Sequence, residues 1–227
     1  MTAKIGLAVT SPFLFEIAKE SLLANRGLVA VVFAAASLEA LINEVSELAD
    51  LEVQAATQDD QRDNDEVLRA FAEAMSEAER SRGSIQLKFI VASLILKGRP
   101  YRKGLQPFQD FSLLMNLRNS IMHLRPTTLT RLGENATQVT FDGCVLKELS
   151  ARGLIKRPKP NTVTSLLSEA GGRQVARWAV NTAADMAQSF LSLFPEPFKS
   201  DVLIDQAEVF RRIDAVGSHS SASKRPN

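Results

Sequence analysis

The chain has 227 residues, of which 45% are hydrophobic and 23% are charged. These proportions are typical of a globular protein with a buried core. The formal net charge is only +1, so the chain as a whole has no field that favours nucleic acid or membranes. A single cysteine, Cys144, excludes an internal disulfide and a thiolate-rich zinc site.

No segment of the sequence predicts targeting or membrane insertion. Residues 1–9 are too short and too weakly charged for a signal peptide. The most apolar run, around 28–36, is shorter than the ~20 residues that a helix needs to cross a bilayer. We therefore expect a soluble, cytoplasmic protein. Residues 1–216 are predicted to form a single domain, and the serine-rich segment 217–227 a disordered tail.

The first part of the sequence predicts two helices. Pro12 opens the first, and Gly27 marks its end. The second helix, over 28–49, has a buried stripe of apolar residues three and four positions apart. Glu39 lies ~20° from Leu28 on a helical wheel and so falls inside this stripe, where a carboxylate must find a partner.

Residues 50–82 contain ten acidic and four basic side chains, a local charge of −6. We predict a loop over 50–64 and an exposed amphipathic helix over 66–80. A solvated face is the simpler interpretation of this segment, and an acidic surface that binds a partner is the alternative.

The rest of the sequence is also predicted to be helical. Helices are expected over 85–96, 107–124, 145–152, 172–194 and 201–216, with a short strand or hairpin over 137–141. A basic loop with one aromatic residue lies between the first two of these helices. Its cations are Lys97, Arg99, Arg102 and Lys103. Solvation is the common role of such a loop, and phosphate binding is the alternative.

The 107–124 helix carries the residues with the clearest chemical potential. On a wheel that advances ~100° per residue, one sector is polar and the rest of the perimeter is mostly apolar. Arg118 lies ~140° from His123, on an apolar side. The polar sector contains Gln109, Ser112, Asn116, Asn119, Ser120 and His123.

Two interpretations of these residues remain open. In the first, Arg118 forms a buried ion pair with Glu39, and His123 is a hydrogen-bonded core residue. In the second, His123 acts as a general acid or base, and Arg118 or Arg125 stabilises a phosphate. The two are compatible if Glu39 orients Arg118 for catalysis. Metal-ligand spacing, a Walker loop and a nucleophile elbow are all missing from the sequence.

The segment Arg118-Asn119-Ser120-Ile121-Met122-His123 resembles the signature of the HEPN (higher eukaryotes and prokaryotes nucleotide-binding) superfamily. That signature is Arg, four to six residues and then His, near the end of a late helix and often with Asn after the Arg. The segment 34–44, which contains Glu39, is similar to an early helix of these domains, where an acidic residue often approaches the active site. The resemblance covers about residues 12–125, with 126–216 as a helical extension.

The resemblance implies an all-α fold, an antiparallel up-and-down helical bundle with an inserted acidic loop and helix. It also implies metal-independent endoribonuclease activity, in toxin–antitoxin, phage-defence or RNA-processing systems. His123 would transfer protons during attack by the ribose 2′-hydroxyl, and Arg118 would stabilise the phosphorane. Asn119 would orient these groups, and Glu39 would hold Arg118 or His123. Contacts with RNA phosphates would come from Lys97, Arg99, Arg102, Lys103 and Arg125.

The partners implied are RNA, a second copy of the chain that joins two motifs in one cleft, and an antitoxin or regulatory protein. No membrane, metal or cofactor is expected. The best-known toxin subgroup has a tyrosine two residues after the His, where this chain has Arg125, so control by nucleotidylation is not expected. Some members of the superfamily are not nucleases. A non-catalytic helical module that binds RNA or protein is therefore the alternative function.

Overall fold

The computed structural model describes residues 9–55, 63–123, 129–131, 137–139, 143–156, 166–195, 198 and 201–213. These residues form an all-α helical bundle with one small antiparallel hairpin. The helices are α1 (Ser11–Leu23), α2 (Gly27–Ala55), α3 (Asp63–Arg80), α4 (Ile85–Lys97), α5 (Phe108–Met122), α6 (Gly143–Ala151), α7 (Leu166–Ala170), α8 (Arg173–Leu191) and α9 (Asp201–Val209). The hairpin pairs β1 (Leu129–Arg131) with β2 (Thr137–Val139).

Helix α2 is the centre of the bundle and packs against α1, α3 and α8. Its buried side includes Ala34 and Leu38, which are inaccessible to solvent. Phe89 of α4 lies edge-on to Phe111 of α5 and to Phe190 of α8, with ring centroids 4.8 and 5.0 Å apart. These aromatic contacts fix α4 and α5 against α8, which carries the apolar stripe predicted for it.

Most predicted helices are present within a few residues of their expected bounds. The loop predicted over 50–64 is wrong at both ends, because α2 continues to Ala55 and α3 begins at Asp63. The sequence patterns do not predict helix α7. The last helix ends at Val209, short of residue 216, and the predicted tail over 217–227 lies outside the described residues.

Two short motifs explain how α1 ends and α2 begins. Asn25 adopts a left-handed conformation (φ 54°), and Arg26 N–H donates to the Ser21 carbonyl at 2.8 Å, which terminates α1. Gly27 therefore does not cap α1 as predicted. It begins α2, and its backbone packs so closely on Gly171 that an added Cβ would lie 2.0 Å from the Gly171 carbonyl oxygen.

A carboxylate from α2 holds the start of α1. Helix α1 has no acidic residue in its first turn and no side-chain cap of its own. Glu44, which is 7% exposed, accepts hydrogen bonds from the backbone N–H groups of Thr10 and Ser11 at 2.6 and 2.9 Å. It also accepts from both hydroxyls at 2.6 Å and from Gln206 Nε2 of α9 at 3.4 Å. The buried charge is thus well satisfied.

Helix α2 is long and apolar enough, over Gly27–Gln54, to cross a membrane by length and composition alone. The helix that contains the apolar run around 28–36 is longer than predicted, because it continues for 29 residues. Within the bundle, however, 56% of its most apolar window is buried. A central core helix has the same properties, so this feature is weak evidence for a membrane span.

Candidate functional site

The polar sector of α5 faces solvent. Four of its six members are exposed and two are partly exposed: Gln109, Asn116, Asn119 and His123, then Ser112 and Ser120. The apolar perimeter is buried through Leu117, as the wheel predicts. Past that point the helix emerges from the bundle, and Met122 is exposed rather than buried.

Arg118 connects this sector to α2. Its Nη2 donates a hydrogen bond to Glu39 Oε2 at 3.2 Å, and its Nη1 donates to Asn119 Oδ1 at 3.0 Å. The predicted pairing of Arg118 with Glu39 is therefore present. Two acceptors on different helices orient the guanidinium plane. Among the described contacts these two acceptors engage two of the five N–H groups of Arg118, so the remaining donors could bind a phosphate.

The ion pair lies on the surface and not in the core. The side chain of Arg118 is 31% exposed and that of Glu39 is 48% exposed. The interpretation as a buried pair is therefore wrong. The wheel measures the position of Glu39 as an angle from Leu28. Leu28 is itself only half-buried and lies at the edge of the buried stripe. Glu39 lies ~100° around the helix from the fully buried Leu38, on the boundary with solvent.

His123 ends α5 at the surface. It is the C-terminal cap residue, with φ −117° and ψ 49°, and its backbone N–H donates to the Asn119 carbonyl at 2.9 Å. Its side chain is exposed. The interpretation of His123 as a core histidine is therefore wrong, and the imidazole can reach a substrate. Asn119 contacts both residues, because its side chain accepts from Arg118 and its backbone carbonyl accepts from the backbone N–H of His123.

A partly exposed apolar strip on α2 adjoins the Arg118–Glu39 pair. The strip, called here the α2 strip, lies on the outward side of α2 and extends from Ala40, next to Glu39, toward the N-terminus of the helix. Its members are Val29, Val32, Phe33, Ala36 and Ala40. Beyond Glu39 in the other direction the same side becomes polar, with Asn43, Glu47 and Asp50. The charged motif thus stands at the border of an apolar surface.

The basic loop lies at the other end of α5. Its cations Lys97, Arg99, Arg102 and Lys103 are all exposed. A rise of ~1.5 Å per residue separates Phe108 from His123 by ~22 Å, so one chain does not gather the loop around the motif. Tyr101 points inward, stacks on Phe108 at 5.5 Å and hydrogen-bonds Ser189 Oγ at 3.1 Å. Burial raises the pKa of Tyr101, and the bond to Ser189 opposes this rise. Arg125 lies outside the described residues.

A second charged site lies between α2, α3 and α4. The sequence indicates it only through the local charge of −6 over residues 50–82. It is a cleft of about 830 Å³, called here the acidic cleft. Lys88 lies in its wall and is 6% exposed. The Lys88 ammonium donates to Asn43 Oδ1 at 2.9 Å and pairs with Glu79. The carboxylates that line the cleft are Glu47, Asp50, Glu73, Glu77 and Glu79.

The acidic cleft does not extend to the motif, and a smaller cleft between α8 and α9 does not either. Among the described residues, the side chains of Asn119 and His123 are exposed and that of Arg118 is partly exposed, and neither of these clefts would enclose a substrate there. Among the residues that the structure describes, no three His, Cys, Asp or Glu side chains are placed to bind a metal ion. The reactive groups on this surface are the guanidinium, the amide and the imidazole.

Comparisons of the chain with models of known protein families, with curated proteins and with solved structures found no match. The resemblance to HEPN domains therefore rests on the segments 118–123 and 34–44 and on the all-α fold.

Proposed function

We propose that the chain is a metal-independent endoribonuclease of the HEPN type, with Arg118, Asn119 and His123 as catalytic residues and Glu39 in support. The observation that carries this proposal is the hydrogen-bonded series from Glu39 through Arg118 to Asn119, which ends one turn from an exposed His123. It combines a fixed guanidinium with an accessible titratable group. These are the two functions that phosphodiester cleavage without a metal requires.

The reaction proceeds by internal attack. His123 accepts the proton of the ribose 2′-hydroxyl, and the 2′-oxygen bonds to the adjacent phosphorus. The bond from phosphorus to the 5′-oxygen breaks. The leaving oxygen then takes a proton from the His123 imidazolium that the first step produced. The products are a 2′,3′-cyclic phosphate and a 5′-hydroxyl. The proposed step uses only the RNA and protein side chains, without a metal or cofactor. Arg118 donates hydrogen bonds to the charged non-bridging oxygens of the phosphorane.

We further propose that two copies of the chain form the site together. Within the described part of one chain, Asn119 and His123 are exposed, and the α2 strip beside them is apolar and partly exposed. A second copy seated on this strip would remove water from Arg118 and His123 and so strengthen their interaction with a phosphate. The homodimer would act on RNA in the cytoplasm, as a toxin or phage-defence component under the control of an antitoxin or regulator. The basic loops of the two copies would contact RNA phosphates outside the shared active site.

The second candidate is a helical module that binds RNA or protein without catalysis. The exposure of the motif favours it, because Glu39 partly neutralises Arg118 and neither of the clefts described above encloses a substrate. In this function Arg118 and the exposed cations of the basic loop contact phosphates, and His123 has no chemical role.

Cleavage of structured and single-stranded RNA in the presence of a chelator distinguishes the two functions. We expect wild-type activity to survive chelation. His123→Ala should lower the rate by about 10²–10⁴-fold and Arg118→Ala by about 10²–10³-fold, because they remove proton transfer and charge stabilisation. Thermal unfolding of each variant reports whether the fold is intact.

Gln109→Ala is the matched control, because Gln109 lies on the same exposed sector of α5 but near its other end. It should cleave RNA at the wild-type rate. Equal activity of wild type and a folded His123→Ala would refute the proposed mechanism. RNA binding by a wild-type protein that cleaves none of the RNAs would support the binding module instead.

A further inference from the structure

The exposed side of α5 offers hydrogen bonds and not charge. Three of the four exposed side chains of this helix are amides, and the fourth is Met122. On α3, by contrast, the described exposed side chains include six charged ones. The two charged residues of α5 have partners elsewhere in the bundle, because Asp110 pairs with Arg152 and Arg118 pairs with Glu39. A ligand on this side therefore meets amide, hydroxyl and imidazole groups.

Asn116 is the amide best placed to contact a ligand of the motif. It is exposed, and its side chain has no hydrogen bond among the described contacts. The Asn119 side chain, by contrast, already accepts from Arg118 at 3.0 Å. Asn116 and His123 are two turns apart, which places them within ~20° around the helix and ~10 Å apart along its axis. Gln109 lies a further ~10 Å away. Asn116 is therefore within reach of a nucleotide whose phosphate lies at His123.

A second copy seated on the α2 strip would leave Asn116 accessible. Arg118 contacts Glu39 of α2, whereas Asn116 lies ~160° around α5 from Arg118. The Arg118 guanidinium extends around the helix to the Asn119 side chain. A phosphate bound by both Arg118 and His123 would therefore lie at the edge of the side that carries the amides. The base of the same or the next nucleotide would then extend over Asn116.

We propose that Asn116 selects the RNA by binding an unpaired adenine at or next to the cleaved bond. This inference rests on the proposed endoribonuclease function and names its substrate class, single-stranded RNA that contains adenine. An amide side chain presents an acceptor and a donor side by side, and adenine N6 and N7 match them with two hydrogen bonds. Guanine presents two acceptors on the same edge and matches only the donor. In an RNA duplex this edge faces a deep, narrow groove that side chains cannot enter, so the adenine must be unpaired.

Binding of 2′-fluoro RNA oligonucleotides, which lack the attacking 2′-hydroxyl, tests this contact without cleavage. By fluorescence anisotropy, wild type should bind oligo-adenine at least about 5-fold more tightly than oligo-cytosine, and Asn116→Ala should remove this preference. Asn116→Asp should reverse it, because a carboxylate only accepts and cytosine N4 donates. Gln109→Ala is the matched control, since it removes an exposed amide from the same helix farther from the motif. It should keep the wild-type preference.

The outcomes separate this inference from the proposed function. The same preference in wild type and in a folded Asn116→Ala would overturn the role of Asn116, and so would a wild type that binds both oligonucleotides equally. If that wild type still cleaves RNA, the endoribonuclease function stands and only the adenine contact fails. An adenine preference that requires Asn116, in a protein that cleaves no RNA, would support the contact and overturn the catalytic function. A folded wild type that binds no RNA would overturn both.

Discussion

Ser11 and Glu44 are 33 residues apart in the sequence, yet the Ser11 hydroxyl donates to Glu44 Oε2 at 2.6 Å. The bond joins the first turn of α1 to the middle of α2 and belongs to a set of five donors around one buried carboxylate. Glu39, five residues earlier on α2, has a partner on α5 but remains half exposed. Two carboxylates on one helix thus have different energetic roles.

Replacement of each carboxylate by alanine should separate these roles. Glu44→Ala leaves several buried N–H and O–H groups without an acceptor, so we expect a loss of about 3 kcal/mol in the free energy of unfolding. Glu39→Ala breaks a solvent-screened pair and should cost no more than about 1 kcal/mol. Urea denaturation of both variants measures the difference. Equal losses in the free energy of unfolding would contradict the predicted difference between the buried and the exposed carboxylate.

Gly27→Ala should be strongly destabilising. The added methyl group would overlap the Gly171 carbonyl, and neither can rotate away, because the carbonyl is backbone and the position of Cβ is fixed by the backbone of Gly27. We expect a loss of at least about 3 kcal/mol, the upper part of the range for overpacked positions. Gly104→Ala is the control, because nothing lies within 4 Å of the position that its added methyl group would take. Thermal unfolding compares the two, and similar melting temperatures would argue against the tight contact between Gly27 and Gly171.

Lys88 should tolerate an apolar replacement better than the loss of its partner. Lys88→Met removes the buried charge and keeps most of the side-chain volume, so we expect a change within about 1 kcal/mol. Glu79→Ala leaves the ammonium with Asn43 as its remaining described partner and should cost about 1–3 kcal/mol. Chemical denaturation gives both values. The reverse order would show that the Lys88–Glu79 pair stabilises the fold by more than it costs to bury.

Asp185 should make stability depend on pH. Burial raises the pKa of its carboxyl above 3.8, and nearby Arg212 partly opposes this rise. The folded state therefore binds the proton more tightly than the unfolded state. Its contribution is fully present below pH 3.8 and is lost as the pH rises through the higher folded pKa. Asp185→Asn should remove this loss and gain stability relative to wild type on going from about pH 4 to about pH 7.

Arg212→Ala supplies the complementary test of this prediction. Without the cation the pKa of Asp185 should rise further, so stability should fall more steeply with pH than in the wild type. Denaturation at both pH values measures the trend. Parallel stability profiles for wild type and Asp185→Asn would contradict the assigned role.

The sequence predicts the helices well because their apolar spacing is local. The stripe on α8 and the polar sector of α5 are correct, since each depends only on the 3.6-residue period of one helix. The pairing of Arg118 with Glu39 is also correct, since both residues fall beside apolar positions on their wheels and each charge needs a partner there. Their catalytic roles stay predictions.

The predictions that are wrong concern how deeply charged side chains are buried in the fold. Which of Glu39 and Glu44 is buried depends on where α1 crosses α2, and a wheel drawn for α2 alone does not contain α1. One local indication is present in the sequence, because the first turn of α1 lacks any acidic residue and so needs an acceptor from elsewhere. The burial of Lys88 on α4 likewise follows from its neighbours on other helices, Asn43 and Glu79.

The contact between Phe15 and Phe210 has a consequence for how the chain folds during synthesis. Their ring centroids lie 4.6 Å apart, so α1 receives part of its cover from residues that the ribosome adds almost 200 positions later. Glu44 can secure the start of α1 as soon as α2 has formed, but one side of Phe15 stays uncovered until α9 emerges. At about 5–20 residues per second this exposure lasts roughly 10–40 seconds, a window in which chaperones can bind the nascent helix pair.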